Sequence, residues 1–276
     1  AVGLVAAVIE REDPDAVIAV FTADHLITPV DRFVQTVERG YQLAEARPNA
    51  LVTFGIQPDE PNTGYGYLQL GERVRGDFGE AFLLDQFKEK PDTPTAEKYL
   101  AAGPSKYLWN SGMFVWRAST LLHCIERFAP ENFAGLKRIA DAWATPQRDA
   151  VLAEVYPTLP KISVDFAVME PASKDEQVQV AAVPMDVEWI DVGSWTSYAE
   201  TCSSDDSGNA IGAGKAIAID SSDNIIASDD RDHLIATLGV NDLVIVHTKH
   251  ATLICHRHEA QRIKQLHAEV KEKLGE

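Results

Sequence analysis

Cysteine is scarce and unpatterned. The 276-residue chain has three, Cys124, Cys202 and Cys255, at spacings that suit neither a disulfide framework nor a zinc ribbon, so a reducing compartment is expected. Basic charge is also in deficit. Against 42 Asp and Glu stand 25 Lys and Arg, a net charge of −17. A chain of that sign offers no basic face to nucleic acid or to an anionic membrane. It must bind phosphates through a few placed cations or a metal. No apolar run reaches the roughly 18 residues of a membrane span, and no signal peptide is visible, so a cytoplasmic protein is expected. Nucleophile signatures built on Ser or Cys are missing. So are phosphate loops. From Gly208 to Lys215 the spacing is one residue too long, and Ala216 replaces the required Ser or Thr. Cys255-His256-Arg257-His258 has no second pair of ligands to complete a metal site.

What is present reads as a globular α/β protein, with 45% hydrophobic and 24% charged residues. Val2, Leu4, Val5, Val8 and Ile9 line one face of a helix. Ala16–Phe21 is a continuous apolar run, which predicts a strand buried on both faces of a parallel sheet. Thr28 is expected to cap a helix with Pro29 at its first position. Leu51–Ile56 predicts the next strand, and the alternation predicts crossover connections. Further strands are expected at Tyr67–Leu70, Ala81–Phe87 and Met113–Trp116, with helices from Thr93 and Ser119. After Cys202 the texture changes. Ser203–Gly208 reads as a linker, followed by five short β runs and a Lys- and Glu-rich helix over about Glu259–Leu274. The expected division is residues 1–202 and a small β-rich, β-helix-like domain over 203–276. The tail's strands and helix could pack on a second copy as a homo-oligomer.

Several residues invite a chemical reading beside a bland one. Asp24 follows a strand, where ligands of open α/β sheets bind; it is either a Mg²⁺ ligand or a turn residue. Asp191, in Trp-Ile-Asp-Val-Gly-Ser-Trp, is a second metal ligand or part of a turn between core tryptophans. Lys90 suits a phosphate and Glu89 sugar hydroxyls, unless Lys88-Glu89-Lys90 is a solvated charge run. Gly64 and Gly66 present backbone amides to a sugar or merely turn a hairpin. Asn110 offers a donor and an acceptor to a hydroxyl or caps a turn at Ser111-Gly112.

Seven stretches in order resemble the mannose-1-phosphate guanylyltransferase family of sugar nucleotidyltransferases. They are Phe21–His25, Leu51–Ile56, Thr63–Tyr67, Phe87–Pro91, Trp109–Phe114, Ser163–Glu170 and Trp189–Trp195, within about residues 1–198. The resemblance implies a Rossmann-like nucleotidyltransferase sheet and a Mg²⁺-dependent exchange of GTP and mannose 1-phosphate for GDP-mannose and pyrophosphate. It implies that Asp24 and Asp191 hold the metal and that Lys90 contacts the sugar phosphate. Glu89, Asn110 and the Gly64 backbone would hold the hexose. The family's glycine-rich loop, which binds the triphosphate and reads the base, has no counterpart here. The chain is therefore expected to be an inactive fragment, with an unpaired edge on the Ala16–Phe21 strand. Two alternatives remain: another sugar-1-phosphate nucleotidyltransferase, or a non-catalytic sugar-phosphate-binding partner.

Overall fold

The computed structural model describes residues 1–275, with only the backbone of Gln261; residue 276, the last of the expected C-terminal domain, lies outside them. The chain divides into two compact units. One holds Ala1–Ala23 and Ile27–Glu188, the other Asp24–Leu26 and the chain from Trp189 onward.

The first unit runs α1 (Val2–Glu12), β1 (Val17–Val20), β2 (His25–Thr28, shared with the second unit), α2 (Val30–Ala46), β3 (Ala50–Ile56), β4 (Tyr67–Arg73) and β5 (Phe82–Lys88). It continues through α3 (Thr93–Ala102), β6 (Tyr107–Arg117), α4 (Ala118–Phe128), α5 (Pro130–Ala142), α6 (Arg148–Val155), a π-helical turn at Asp165–Met169, the short α7 (Glu170–Ala172) and β7 (Gln179–Pro184). Six strands form one sheet in the order β1-β6-β3-β7-β5-β4. Its parallel pair is β3 with β7; the other pairings are antiparallel.

Ala16–Phe21 is not the enclosed parallel strand its apolar run predicts, but among the described residues it does have the expected unpaired edge. Its strand β1 pairs antiparallel with β6 alone among the described residues, and most of it is only half-buried. A strand flanked on one side cannot be fully enclosed. The enclosed position belongs to β3, whose seven residues are all buried, because β6 and β7 flank it and α2 and α4 pack against it. Leu51, Leu68, Phe87, Phe114, Trp116, Leu121 and Met169 belong to one core cluster.

Two local expectations shift for stated reasons. Pro29, not Thr28, precedes α2 as its N-cap, and the Thr28 hydroxyl donates to Glu188 Oε2 at 2.9 Å. The turn, one of the two readings of Asn110-Ser111-Gly112, is instead the middle of β6, an eleven-residue strand. Pairing with β1, β3 and β4 overrides the turn preference of Asn-Ser-Gly. That preference survives as a local irregularity. Gly112 sits at φ +71°, and the β3–β6 register shifts between Thr53 and Gly55.

The second unit contains β8 (Glu188–Asp191), which starts in the first and pairs with β2, then α8 (Trp195–Glu200), β9 (Ser203–Ser204) and β10 (Ala210–Gly212). After these come β11 (Lys215–Ile219), β12 (Ile225–Ser228), β13 (Leu234–Leu238), β14 (Leu243–His247), β15 (Thr252–His256) and α9 (Ile263–Leu274). Strands β10, β12 and β14 stack in parallel on one face and β11 and β13 on another, as coils of a β-helix. Buried asparagines hold the coils together. Asn224 Nδ2 donates to Asn209 Oδ1 fifteen residues back, and Leu243 N donates to Asn224 Oδ1 nineteen residues back. Among the described residues no helix is long and apolar enough to cross a membrane.

Candidate active site

The second unit brings Asp24, His25 and Asp191 together. One ligand atom from each lies within 4.8 Å of the others. The contact is long-range and backbone-fixed: Val192 N donates to Asp24 O at 2.9 Å. Asp191 does serve a turn, because its Oδ1 accepts the Gly193 N–H at 3.0 Å. A carboxylate has about four acceptor positions, so that bond leaves capacity for a cation. His25 is fixed by Trp189, whose Nε1–H donates to Nδ1 at 3.1 Å. The neutral ring therefore carries its proton on Nε2. Burial lowers the His25 pKa, against the opposing pull of Asp191 and Asp24. The two carboxylates fit a hard divalent cation such as Mg²⁺, whereas His25 in this tautomer has no free lone pair to offer one.

The first unit gathers a different set. Thr53 Oγ1 donates to Asn110 Oδ1 at 2.8 Å, and Asn110 Nδ2 donates to Asp165 Oδ1 at 3.0 Å. The Asn110 amide thus has a fixed orientation. Glu89 is 7% exposed, and its Oε2 has no hydrogen-bond partner. Leaving a buried polar atom unpaired costs roughly 1–3 kcal/mol. Burial raises the Glu89 pKa to about 7, and Asp165 and Glu170 push it the same way against Lys90 and Lys88. Burial likewise raises Asp165, although Asn110 and Ser163 donate to it. Burial pushes Glu170 upward too, but the Glu89 N–H, Lys174 and Lys88 outweigh it and hold the group below the usual range.

Lys90 is exposed and adopts φ +46°, a left-handed conformation that a non-glycine residue rarely takes. Its Nζ stays 3.9 Å from Glu89 Oε1. The bland reading of Lys88-Glu89-Lys90 as a solvated run therefore fails at Glu89, which is inside.

The two glycines separate in role. Gly64 is exposed, and its N–H donates to Asn62 Oδ1 at 2.7 Å in a local turn. Gly66 is buried, and a Cβ there would meet Glu89 Oε2 at 2.5 Å and Asn110 Cβ at 3.2 Å. Its carbonyl accepts the Asn110 N–H at 2.8 Å. Glycine at 66 is what allows Glu89 and Asn110 to approach this backbone.

The family model described as "Nucleotidyl transferase" matches residues 1–208. The chain belongs to the nucleotidyl transferase family. A second model, "MannoseP isomerase/GMP-like beta-helix domain", matches residues 214–270, the stacked coils. Among relatives, "Mannose-1-phosphate guanylyltransferase ManC" of Salmonella typhimurium is 36% identical over 98% of this chain and 54% of its own length. "Mannose-1-phosphate guanylyltransferase" of Escherichia coli is 37% identical over 98% of this chain and 55% of its own. The chain thus spans about half the length of the curated relatives it matches. A solved structure described as mannose-1-phosphate geranyltransferase from Thermus thermophilus superposes with a TM-score of 0.79 at 26% identity, covering 98% of this chain and 75% of that one.

In this chain the chemical residues singled out from sequence fall into two groups. Asp24 and Asp191 meet in one unit, and Glu89, Lys90 and Asn110 cluster in the other. Thr53, His25 and Asp165 join them without having been given a role. Thr53 carried a visible signal as the one hydroxyl in the apolar run Leu51–Ile56. His25 and Asp165 carried none beyond their place in two of the seven stretches; only the tertiary contacts at Trp189 and Asn110 expose them.

Proposed function

We propose that this chain serves the transfer of a guanylyl group from GTP to mannose 1-phosphate, giving GDP-mannose and pyrophosphate. The observation that carries the reading is the Glu89–Asn110–Asp165 cluster, buried at Glu89 and Asn110 and half-buried at Asp165, with Lys90 beside it. It supplies hydroxyl-binding groups and one phosphate-binding cation, with no nucleophilic side chain. The names of the 36–37% identical relatives support the choice of sugar and base.

The residues divide the work by their chemistry. Lys90 neutralises the sugar phosphate, and its constrained backbone presets its direction. Glu89 and Asn110 orient the hexose, with the Gly64 backbone contributing at the rim. An ionised oxygen of the sugar phosphate attacks the α-phosphorus of GTP. A P–O bond forms, the bond from the α-phosphorus to the bridging oxygen breaks, and pyrophosphate leaves with that electron pair. The attacking oxygen carries no proton at neutral pH, so positioning and charge neutralisation suffice. Asp24 and Asp191 would hold Mg²⁺, which supplies charge neutralisation on phosphate oxygens when bound. His25, with Nδ1 engaged by Trp189, lies beside them.

The test is pyrophosphate release by the protein with Mg²⁺, GTP and α-mannose 1-phosphate, against ATP, UTP and glucose 1-phosphate. Preferential turnover of GTP with mannose 1-phosphate, abolished by chelation, supports the reading. Tight binding of mannose 1-phosphate without turnover of any nucleotide would rule it out.

A further inference from the structure

We propose that Asp165 is a specificity-determining residue, reading a vicinal pair of hexose hydroxyls together with Asn110 and Glu89. The inference rests on the reaction proposed above and adds to it a residue and the substrate feature it recognises. Asn110 could present either end of its amide to a ligand. Asp165 removes that freedom: its carboxylate accepts, so the NH₂ group faces it and Oδ1 turns to the Thr53 hydroxyl, which also lies 3.1 Å from Met113 O. One N–H of that group is used on Asp165, and the second remains as a donor. Asp165 keeps acceptor capacity beyond its bonds from Asn110, Ser163 and its own backbone N–H, since a carboxylate has about four acceptor positions. A single hydroxyl can therefore accept from Asn110 and donate to Asp165.

The neighbouring hydroxyl is assigned to Glu89. Its Oε2 is buried and unpartnered, and it lies over Gly66, where no side chain can intervene. Two carboxyl groups that oppose each other's ionisation in a buried cluster are costly unless a third party bridges them. A vicinal diol is such a bridge, because each hydroxyl both donates and accepts. Asp165 is also accessible to a ligand. It opens the π-helical turn Asp165–Met169 and lines a cavity of about 680 Å³ along with Thr22, Gly112 and Ser163. Single wide turns of this kind recur at functional sites. A purely structural Asp165 would be satisfied by Asn110 and Ser163. It would leave Glu89 Oε2 unexplained.

The experiment measures kcat/KM of the protein for α-mannose 1-phosphate and its 2-deoxy, 3-deoxy and 4-deoxy analogues, in wild type and in Asp165→Asn. Wild type is expected to lose about 100-fold or more on the analogue lacking the hydroxyl that Asp165 reads. Asp165→Asn is expected to lose about 10- to 100-fold on the parent sugar, yet to treat that analogue and the parent alike within about threefold. A uniform loss across all four substrates, or no loss, overturns the proposal while leaving the reaction standing. Wild type that turns over no sugar phosphate sinks the reaction, and this proposal with it. Should Asp165→Asn fail to fold by circular dichroism, Asp165→Ser is measured on the same panel and judged by the same pattern.

Discussion

Asp24 is exposed and Asp191 half-buried, whereas Glu89 and Asn110 are buried in the other unit. The Asp24–Asp191 pair is held by a backbone bond at Asp24 and a turn bond at Asp191, beside the Trp189–His25 contact. The buried set is wired through Thr53, Asn110, Asp165 and Gly66. The difference follows from what each would bind. A divalent cation organises its own ligands by charge. A neutral hydroxyl exerts no such pull, so the groups that read it must be preset and dry.

The largest expected effect separates the two sets by function. Asp191→Ala is expected to reduce pyrophosphate release roughly 10³-fold, while calorimetric binding of mannose 1-phosphate stays within about threefold. Equal losses in both readouts would erase the division of labour.

The next test concerns the cost of the buried set. Glu89 has a folded-state pKa of about 7, above its ordinary 4.5. The folded protein keeps a proton that the unfolded chain releases, so stability falls as pH rises from 4.5 through 7. The full effect is about 3 kcal/mol. Glu89→Gln cannot ionise. It should melt roughly 5–10 °C above wild type at pH 8 and show little of that advantage near pH 4.5, while losing sugar binding. Parallel melting curves at both pH values would show that burial, with Asp165 and Glu170, does not raise Glu89 against the opposing pull of Lys90 and Lys88.

A smaller effect is expected at Gly66. Gly66→Ala places a methyl against Glu89 Oε2 and should cost about 1–3 kcal/mol. The KM for sugar phosphate should rise, with Gly64→Ala nearly silent by comparison. If Gly64→Ala proves the more damaging, the hexose is held at the exposed turn instead. Smallest is Trp189→Phe, which removes the donor to His25 Nδ1 at a cost of about 1 kcal/mol. Long-range ¹H–¹⁵N spectra should then show His25 leaving its single Nε2–H tautomer; an unchanged spectrum would mean that Trp189 does not set it.

Much of the fold was legible because its signals are local. The β3 run Leu51–Ile56, the five short runs after Cys202 and the Asp92–Thr95 start of α3 all lie within a few residues of where patterning places them. The failures are non-local. β1 looked enclosed because its side chains are apolar, yet enclosure depends on how many strands flank it. Asn110-Ser111-Gly112 looked like a turn because three turn-forming residues adjoin, yet three partner strands keep β6 extended.

The sequence by itself determined which chemical groups this chain owns: a carboxylate after a strand, another between tryptophans, a Glu-Lys-Pro segment, an amide in an aromatic stretch and no phosphate loop. Residue identity and short-range patterning are enough for that. The tertiary structure alone decided which groups meet. Asn110 finds Asp165 across 55 residues, and Trp189 finds His25 across 164. Such contacts arise from how strands pair and helices pack, and no window of sequence contains both partners.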